Sequence, residues 1–265
     1  MMSIIAISRG SYRSGKEVAE KVALKLNYAC IDRDLLIDEI NLFHLPEIKL
    51  VRNIHDATSI LDRFPYGKER YIAGIRSALL KRCRRDNIVY HGLAGHFFVK
   101  DVPHVLKIRI IADLEVRVKK EAEREGISAQ EARNTLLKDD EERRKWALYL
   151  YGIDVLDSRL YDRVFNIGAV TVDDVVDIIV DTAKLPGFQP TDDSVKMINN
   201  LALAAEAQAS LFEFPNASVS AKEGRVLVRL KAPSEQKGFI TITVKNIVKK
   251  INGVEAVEVS IEPYF

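Results

Sequence analysis

Residues 4–26 read IIAISRGSYRSGKEVAEKVALKL, and the fold turns on how this stretch divides. An apolar run comes first, then a turn carrying Gly10, Gly15 and Lys16, then Val18, Val22, Ala23 and Leu26 at helical spacing within 15–26. Strand, glycine turn and helix make one unit. Further strand-length runs are NYACI (27–31), NIVYHG (87–92), VLKIRIIA (105–112) and DRVFNI (162–167). Helical sequence separates them: DRDLLIDEINLF starts behind Asp32 as a cap, and another helical pattern covers 67–85. Between these, 45–66 holds weaker helical segments broken by Pro46 and Pro65, read as an insertion over the sheet edge. Strands alternating with helices predict an α/β fold, a doubly wound parallel five-stranded sheet with its ligand at the carboxyl ends of the strands.

The turn itself carries chemistry. Gly10, Ser11, Tyr12, Arg13, Ser14, Gly15 and Lys16 match GxxxxGK at the strand-to-helix junction that a phosphate-binding loop requires. Glycine lets successive amides converge on a phosphate, the helix start adds its dipole, and Lys16 would bridge the outer phosphates. Glu17 stands where a magnesium-binding serine or threonine is usual. Its carboxylate either holds the metal through a water or opposes the phosphates and pairs with Lys16. No residue is assigned as a direct metal ligand.

Between the fourth and fifth strands, residues 113–152 are long, charged and helical, with Ser128 and Glu131 forming a capping box after Gly126. This segment is expected to project as a mobile arm, a helical lid. Composition then changes at LPGFQPTDDS (185–194), the expected boundary between domains at 1–184 and 192–265 with 185–191 as linker. The second part reads helix (193–208), strands NASVSA (216–221) and RVLVRLKA (225–232), helix (240–251) and strand (254–262). That is a small α+β domain of order αββαβ, with turns at Glu223 and Gly224 and at Asn252 and Gly253.

Bulk numbers exclude several classes. Hydrophobic residues at 47% beside 29% charged ones describe an ordinary globular chain, and no apolar run approaches the ~20 residues of a membrane span. The start MMSIIAIS lacks a secretory pattern, so a cytoplasmic protein is expected. Cys30 and Cys83 are too far apart for a zinc motif and read as buried or half-buried thiols. A net charge of +2 calls for no nucleic-acid partner, and the basic run at 81–85 ends a helix, where cations favour the dipole.

Over roughly 3–184 the chain resembles the cytidylate kinase-like branch of the P-loop nucleoside monophosphate kinases. The resemblance rests on ISRGSYRSGKEVAEKVALKL (7–26), CIDRDLL (30–36), NIVYHGLAG (87–95), VPHVLKIRIIADLEVRV (102–118), DDEERRKWALYLYG (139–152) and YDRVFNI (161–167). It implies ATP on the glycine loop with Mg2+, a nucleoside monophosphate across the cleft and a closing lid. At matching positions it implies Arg33 on the acceptor phosphate, Arg143 and Arg144 in the lid as catalytic arginines with Lys16, and Arg13 as a further loop candidate. Asp32 or Asp34 would orient the acceptor or magnesium, and His91 would face the phosphates. His91 and His96 fit no metal-ligand spacing and read otherwise as satisfied or half-exposed histidines. Trp146, Tyr149 and Tyr151 read as lid-helix packing or as a stacking surface for a base.

Leu93 stands where that family carries an arginine. With Glu17 it defines a second reading, an ATP-binding regulator whose transfer chemistry is weakened or lost. The C-terminal part resembles a BON domain through the Gly224 turn, the Ile247, Val248 and Ile251 helix face and the Gly253-Val254 junction. That resemblance implies binding to a membrane, a ligand or another protein. Lys245, Lys249 and Lys250 make its helix basic, and its place after a linker suits a regulatory or oligomerising role.

Overall fold

The computed structural model describes residues 3–40, 60–92, 95–168 and 170–263. The insertion expected at 45–66 lies largely outside the described residues, as does Leu93. Five parallel strands, β1 (Ile4–Arg9), β2 (Ala29–Asp32), β3 (Ile88–Gly92), β4 (Val105–Ala112) and β5 (Arg163–Ile167), form one sheet in the order β2-β3-β1-β4-β5. β1 lies in the middle because its residues are apolar on both sides. Ile5 and Ile7 pack with Val89, Leu106, Ile108 and Ile110 under α1 (Tyr12–Leu26) on one face. Ile4 and Ala6 pack with Ile88, Tyr90 and Val105 on the other. A strand buried on both faces needs no alternation.

Helix α2 (Arg33–Ile40) follows β2, and α3 (Gly67–Cys83) precedes β3. Asp32 caps α2, its Oδ1 accepting from the Leu35 amide at 2.9 Å. A short turn of helix, α4 (Gly95–Phe98), follows β3. The segment expected as a lid is a helical hairpin, α5 (Leu114–Glu125) and α6 (Ala129–Tyr151), turned at Gly126 with φ 66°. The capping box between Ser128 and Glu131 starts α6, and Arg117 clamps Asp140 across the hairpin at 2.7 Å.

The lid departs from a wholly projecting arm. Its last turns join the core, where Trp146 is 1% exposed and meets Tyr71 edge-on at 5.5 Å between ring centroids. Trp146, Ala147 and Leu150 place one apolar stripe at the end of an otherwise charged helix, so only the earlier turns reach away. Trp146 is therefore packing and presents no open face to a base. Cys83 is buried as expected, but Cys30 is exposed on edge strand β2.

After α7 (Val172–Ala183), α8 (Asp192–Ser210) leads into a second sheet. There β6 (Ser218–Lys222) pairs antiparallel with β7 (Arg225–Ala232), and β8 (Ala256–Pro263) pairs parallel with β7 across α9 (Lys237–Val248). The order is αββαβ. Glu223 (φ 46°) and Gly224 (φ 79°) close the hairpin. α8 serves both cores: Ile198, Ala202 and Ala205 pack with the main sheet's cluster, while Leu203, Ala207 and Leu211 pack with the small sheet's. Among the described residues no helix is long and apolar enough to cross a membrane.

Candidate functional site

At the carboxyl end of β1 the chain leaves the sheet between β3 and β4. The Gly10 and Ser11 amides both donate to the Ile110 carbonyl of β4, at 2.8 and 2.9 Å. α1 then begins at Tyr12, one turn earlier than the spacing of its apolar residues predicts, because those residues define only its buried face. The Gly15 amide donates to the Ser11 carbonyl at 3.0 Å, so Gly15 and Lys16 belong to the helix. A Cβ at Gly15 would stand 2.7 Å from Arg9 Cγ, so glycine permits this close approach of α1 to the end of β1. Residues 10–16 are thus a tight bend followed by a helical first turn. The Tyr12, Arg13 and Ser14 amides, before the first i to i−4 bond, have no acceptor within the helix, and the Ser11 hydroxyl makes no capping bond to them. This end of α1 carries the positive end of the dipole.

The side chains here divide. Ser11 and Ser14 are buried, whereas Arg13 is exposed. Lys16 is half-exposed, 3.7 Å from Glu20 one turn along, a pairing in water that is worth a few tenths of a kcal/mol, about 0.5. Glu17 pairs with Lys21 at 3.1 Å, not with Lys16, and Lys21 also reaches Asp173 of α7 at 2.8 Å.

Register sets the opposite wall. Asp32 of β2, His91 of β3 and Ile7 of β1 are aligned across the sheet. His91 is 3% exposed and its Nδ1 has no hydrogen-bond partner among the described residues. Burial pushes the His91 pKa down to about 4, with Arg9 and Lys16 adding to the fall and Asp32 opposing it. Lys16, Arg9, Asp32 and His91 therefore share one electrostatic neighbourhood. His91 is neither satisfied nor half-exposed, and His96 is likewise buried with Nε2 unpartnered.

Arg33, the first residue of α2, is 7% exposed. Its Nε donates to the Tyr71 hydroxyl at 3.0 Å, and its guanidinium lies 6.0 Å from the Tyr71 ring and 5.8 Å from Trp146. Asp34 is exposed in the first turn of the same helix, where a carboxylate suits the dipole. The lid arginines meet carboxylates: Arg144 Nε and Nη2 reach Asp154 Oδ2 at 3.1 and 2.8 Å, and Arg143 stands 3.9 Å from Asp140. The Arg144 guanidinium holds the Asp154 carboxyl below its ordinary range. Asp32 and His91 are thus neighbours across the sheet, Lys16 acts on His91 through its charge alone, and Arg144 is held on Asp154.

Sequence reading missed Arg109. It lies in the apolar run VLKIRIIA and is 8% exposed beside Ser8 at the end of β1. One arginine inside a strand buried on both faces was the available signal. Among the described residues no group of three or more His, Cys, Asp or Glu side chains is gathered as a metal site.

A parallel sheet ordered β2-β3-β1-β4-β5, with a glycine-bearing bend and a lysine after its central strand, defines the α/β class built around a phosphate-binding loop. Residues 4–169 match the Cytidylate kinase-like family, and the chain belongs to that family. It is 36% identical over 87 residues to the cytidylate kinase of Pyrococcus horikoshii, covering 33% of this chain and 44% of that one. To the cytidylate kinase of Thermococcus kodakarensis it is 32% identical over 115 residues, 43% of this chain and 58% of the relative. The chain thus spans about half the length of these relatives. A crystal structure of an uncharacterized protein from Eubacterium ventriosum shares the fold, with a TM-score of 0.54 at 24% identity over 69% of this chain and 98% of that one.

Proposed function

We propose that this chain is a nucleotide kinase that moves the terminal phosphoryl group of ATP to a nucleoside monophosphate of the cytidylate type or a similar small acceptor. The observation that carries this reading is the half-exposed Lys16 beside the acceptor-less first-turn amides of α1, with His91 within reach of its charge. Phosphoryl transfer needs positioning and positive charge far more than a base. Residues 10–17 hold the polyphosphate, with the Tyr12, Arg13 and Ser14 amides orienting it. Lys16 exchanges its weak contact with Glu20 for the outer phosphates. Arg33, steadied by Tyr71 and Trp146, takes the acceptor phosphate, and Asp34 serves only at the rim. Arg143 and Arg144 join when the lid closes, Arg144 leaving Asp154.

Magnesium, when bound, neutralises charge on the transferring phosphates. It is typically held by one or two carboxylates and by the substrate's own phosphates, which fits Asp32 at a strand end next to His91. Glu17 is a weaker candidate, being engaged with Lys21.

We assign residues 1–184 to the kinase unit, 185–191 to the link and 192–265 to a BON-like unit in a cytoplasmic protein. The exposed Phe239 and Ile242 on α9, followed by Lys245, Lys249 and Lys250, support binding of a membrane surface, a ligand or a protein by that unit.

The test is purified full-length protein with magnesium and ATP against a panel of nucleoside monophosphates, with Lys16→Ala as control. Transfer that falls on the order of 100-fold or more in the variant is expected. ATP binding without transfer to any acceptor would instead establish the regulator, and absence of nucleotide binding would remove both.

A further inference from the structure

Arg109 is a buried cation for which the described residues supply no anion. Its side chain is 8% exposed, and β4 sets it directly opposite Ser8 of β1. Nη1 donates to the Ser8 hydroxyl and to the Tyr161 hydroxyl, each at 3.3 Å, and the guanidinium lies 5.6 Å from the Tyr161 ring centroid. The Tyr161 hydroxyl in turn donates to the Val155 carbonyl at 2.9 Å, which leaves its lone pairs for the arginine. Both partners are neutral. Among the described residues no carboxylate lies within ion-pair distance of Arg109; Asp154, whose titration senses it, is bonded to Arg144. A guanidinium carries five N–H donors, and taking its charge out of water without an opposite charge is unfavourable.

Its position says what the missing anion is. Ile110, the next residue of β4, accepts the Gly10 and Ser11 amides, so the bend before α1 and the Arg109 backbone are held in one frame. A Cβ at Gly10 would stand 2.7 Å from Ile111 Cγ2, 3.1 Å from the Ile110 carbonyl and 3.2 Å from Arg109 Nη2, so the bend runs against β4 and close to the guanidinium. The three acceptor-less amides of α1 follow within the next residues. We propose that Arg109 is a phosphate-binding residue of this loop, its guanidinium taking oxygens of the polyphosphate that the α1 amides and Lys16 hold from the other side. This rests on the phosphate-loop reading and adds to it a ligand from β4. Glycine at position 10 serves both contacts, since a side chain there would clash with Ile111 and crowd the arginine.

The experiment titrates full-length protein with inorganic tripolyphosphate by calorimetry and follows thermal unfolding with and without that anion. The variants are Arg109→Gln, Arg109→Lys and Lys16→Ala. Arg109→Gln is expected to weaken tripolyphosphate binding about tenfold or more, and Arg109→Lys by less, because a point charge keeps the attraction and loses the fork. Without the anion, Arg109→Gln is expected to melt at or above the wild-type temperature, since it removes an uncompensated buried charge. Affinity unchanged in both Arg109 variants while Lys16→Ala weakens binding would overturn this proposal and leave the loop reading standing. An Arg109→Gln protein that fails to fold, or melts equally lower with and without the anion, would assign Arg109 to structure alone. Wild-type protein that binds no tripolyphosphate would sink both readings together.

Discussion

His91 and His96 are buried as neutral imidazoles, each with one ring nitrogen lacking a partner among the described residues. Burial pushes their pKa values down to about 4 and about 3, with Arg9 adding to the fall at His91 and Arg109 at His96. In the unfolded chain both titrate near the ordinary histidine value, so between that value and the depressed one the unfolded state holds more protons. Stability is therefore full above about pH 6.5 and falls as pH drops toward 4, with a limiting slope of about 1.4 kcal/mol per pH unit for each histidine. Urea unfolding midpoints measured from pH 7.5 to 4.5 are expected to show this fall, and His91→Gln with His96→Gln to flatten it; an unchanged slope in the double variant would assign acid sensitivity to other groups. At this scale the sequence was legible where a motif exists: the glycines and Lys16 stand out by spacing alone. Arg109 did not, because side-chain parity within one strand does not reveal which neighbour the arginine faces.

Lid helix α6 shows the same limit at the scale of an element. Its start is written locally, in Ser128 and Glu131, since a capping box involves only residues three apart. Its end is not. Trp146, Ala147 and Leu150 follow a dense charged run, and only the packing of Trp146 against Tyr71 and beside Arg33 shows that this end is a core element. Trp146→Ala is expected to cost about 3–5 kcal/mol of stability. It also removes one of the two rings beside Arg33, so under the kinase reading the acceptor's KM rises more than that of ATP. Denaturant titration reads the first effect and steady-state kinetics the second; a loss under 1 kcal/mol would place the indole in a site able to collapse around the gap.

For the whole molecule the telling element is α8. It follows the Pro-rich stretch 185–191, which reads as a boundary, yet one side of α8 completes the core beneath α3 and the other completes the small sheet's core. A chain ending at residue 190 therefore loses the cover given by Ile198, Ala202 and Ala205. It is expected to melt several degrees below full-length protein and to bind a hydrophobic dye. Calorimetry on the two lengths checks this, and equal melting temperatures would mean that the main core closes without α8.

The amino-acid sequence by itself determined the alternation of strands and helices, the place of the glycine bend before α1, the caps and the αββαβ order of the C-terminal part. All of these are properties of residues close together in the chain, set by periodicity, glycine and side-chain-to-backbone bonding. Tertiary structure alone decided that α1 begins at Tyr12, that Lys16 leans on Glu20 and Glu17 on Lys21, that the end of the lid helix is core, and that Arg109 sits under Gly10. The end of the lid helix and the place of Arg109 depend on which distant segments burial brings together, a choice made by surfaces of the whole chain competing for water-free space. The two ion pairs of α1 are local, four residues apart, and follow once the helix is known to start at Tyr12.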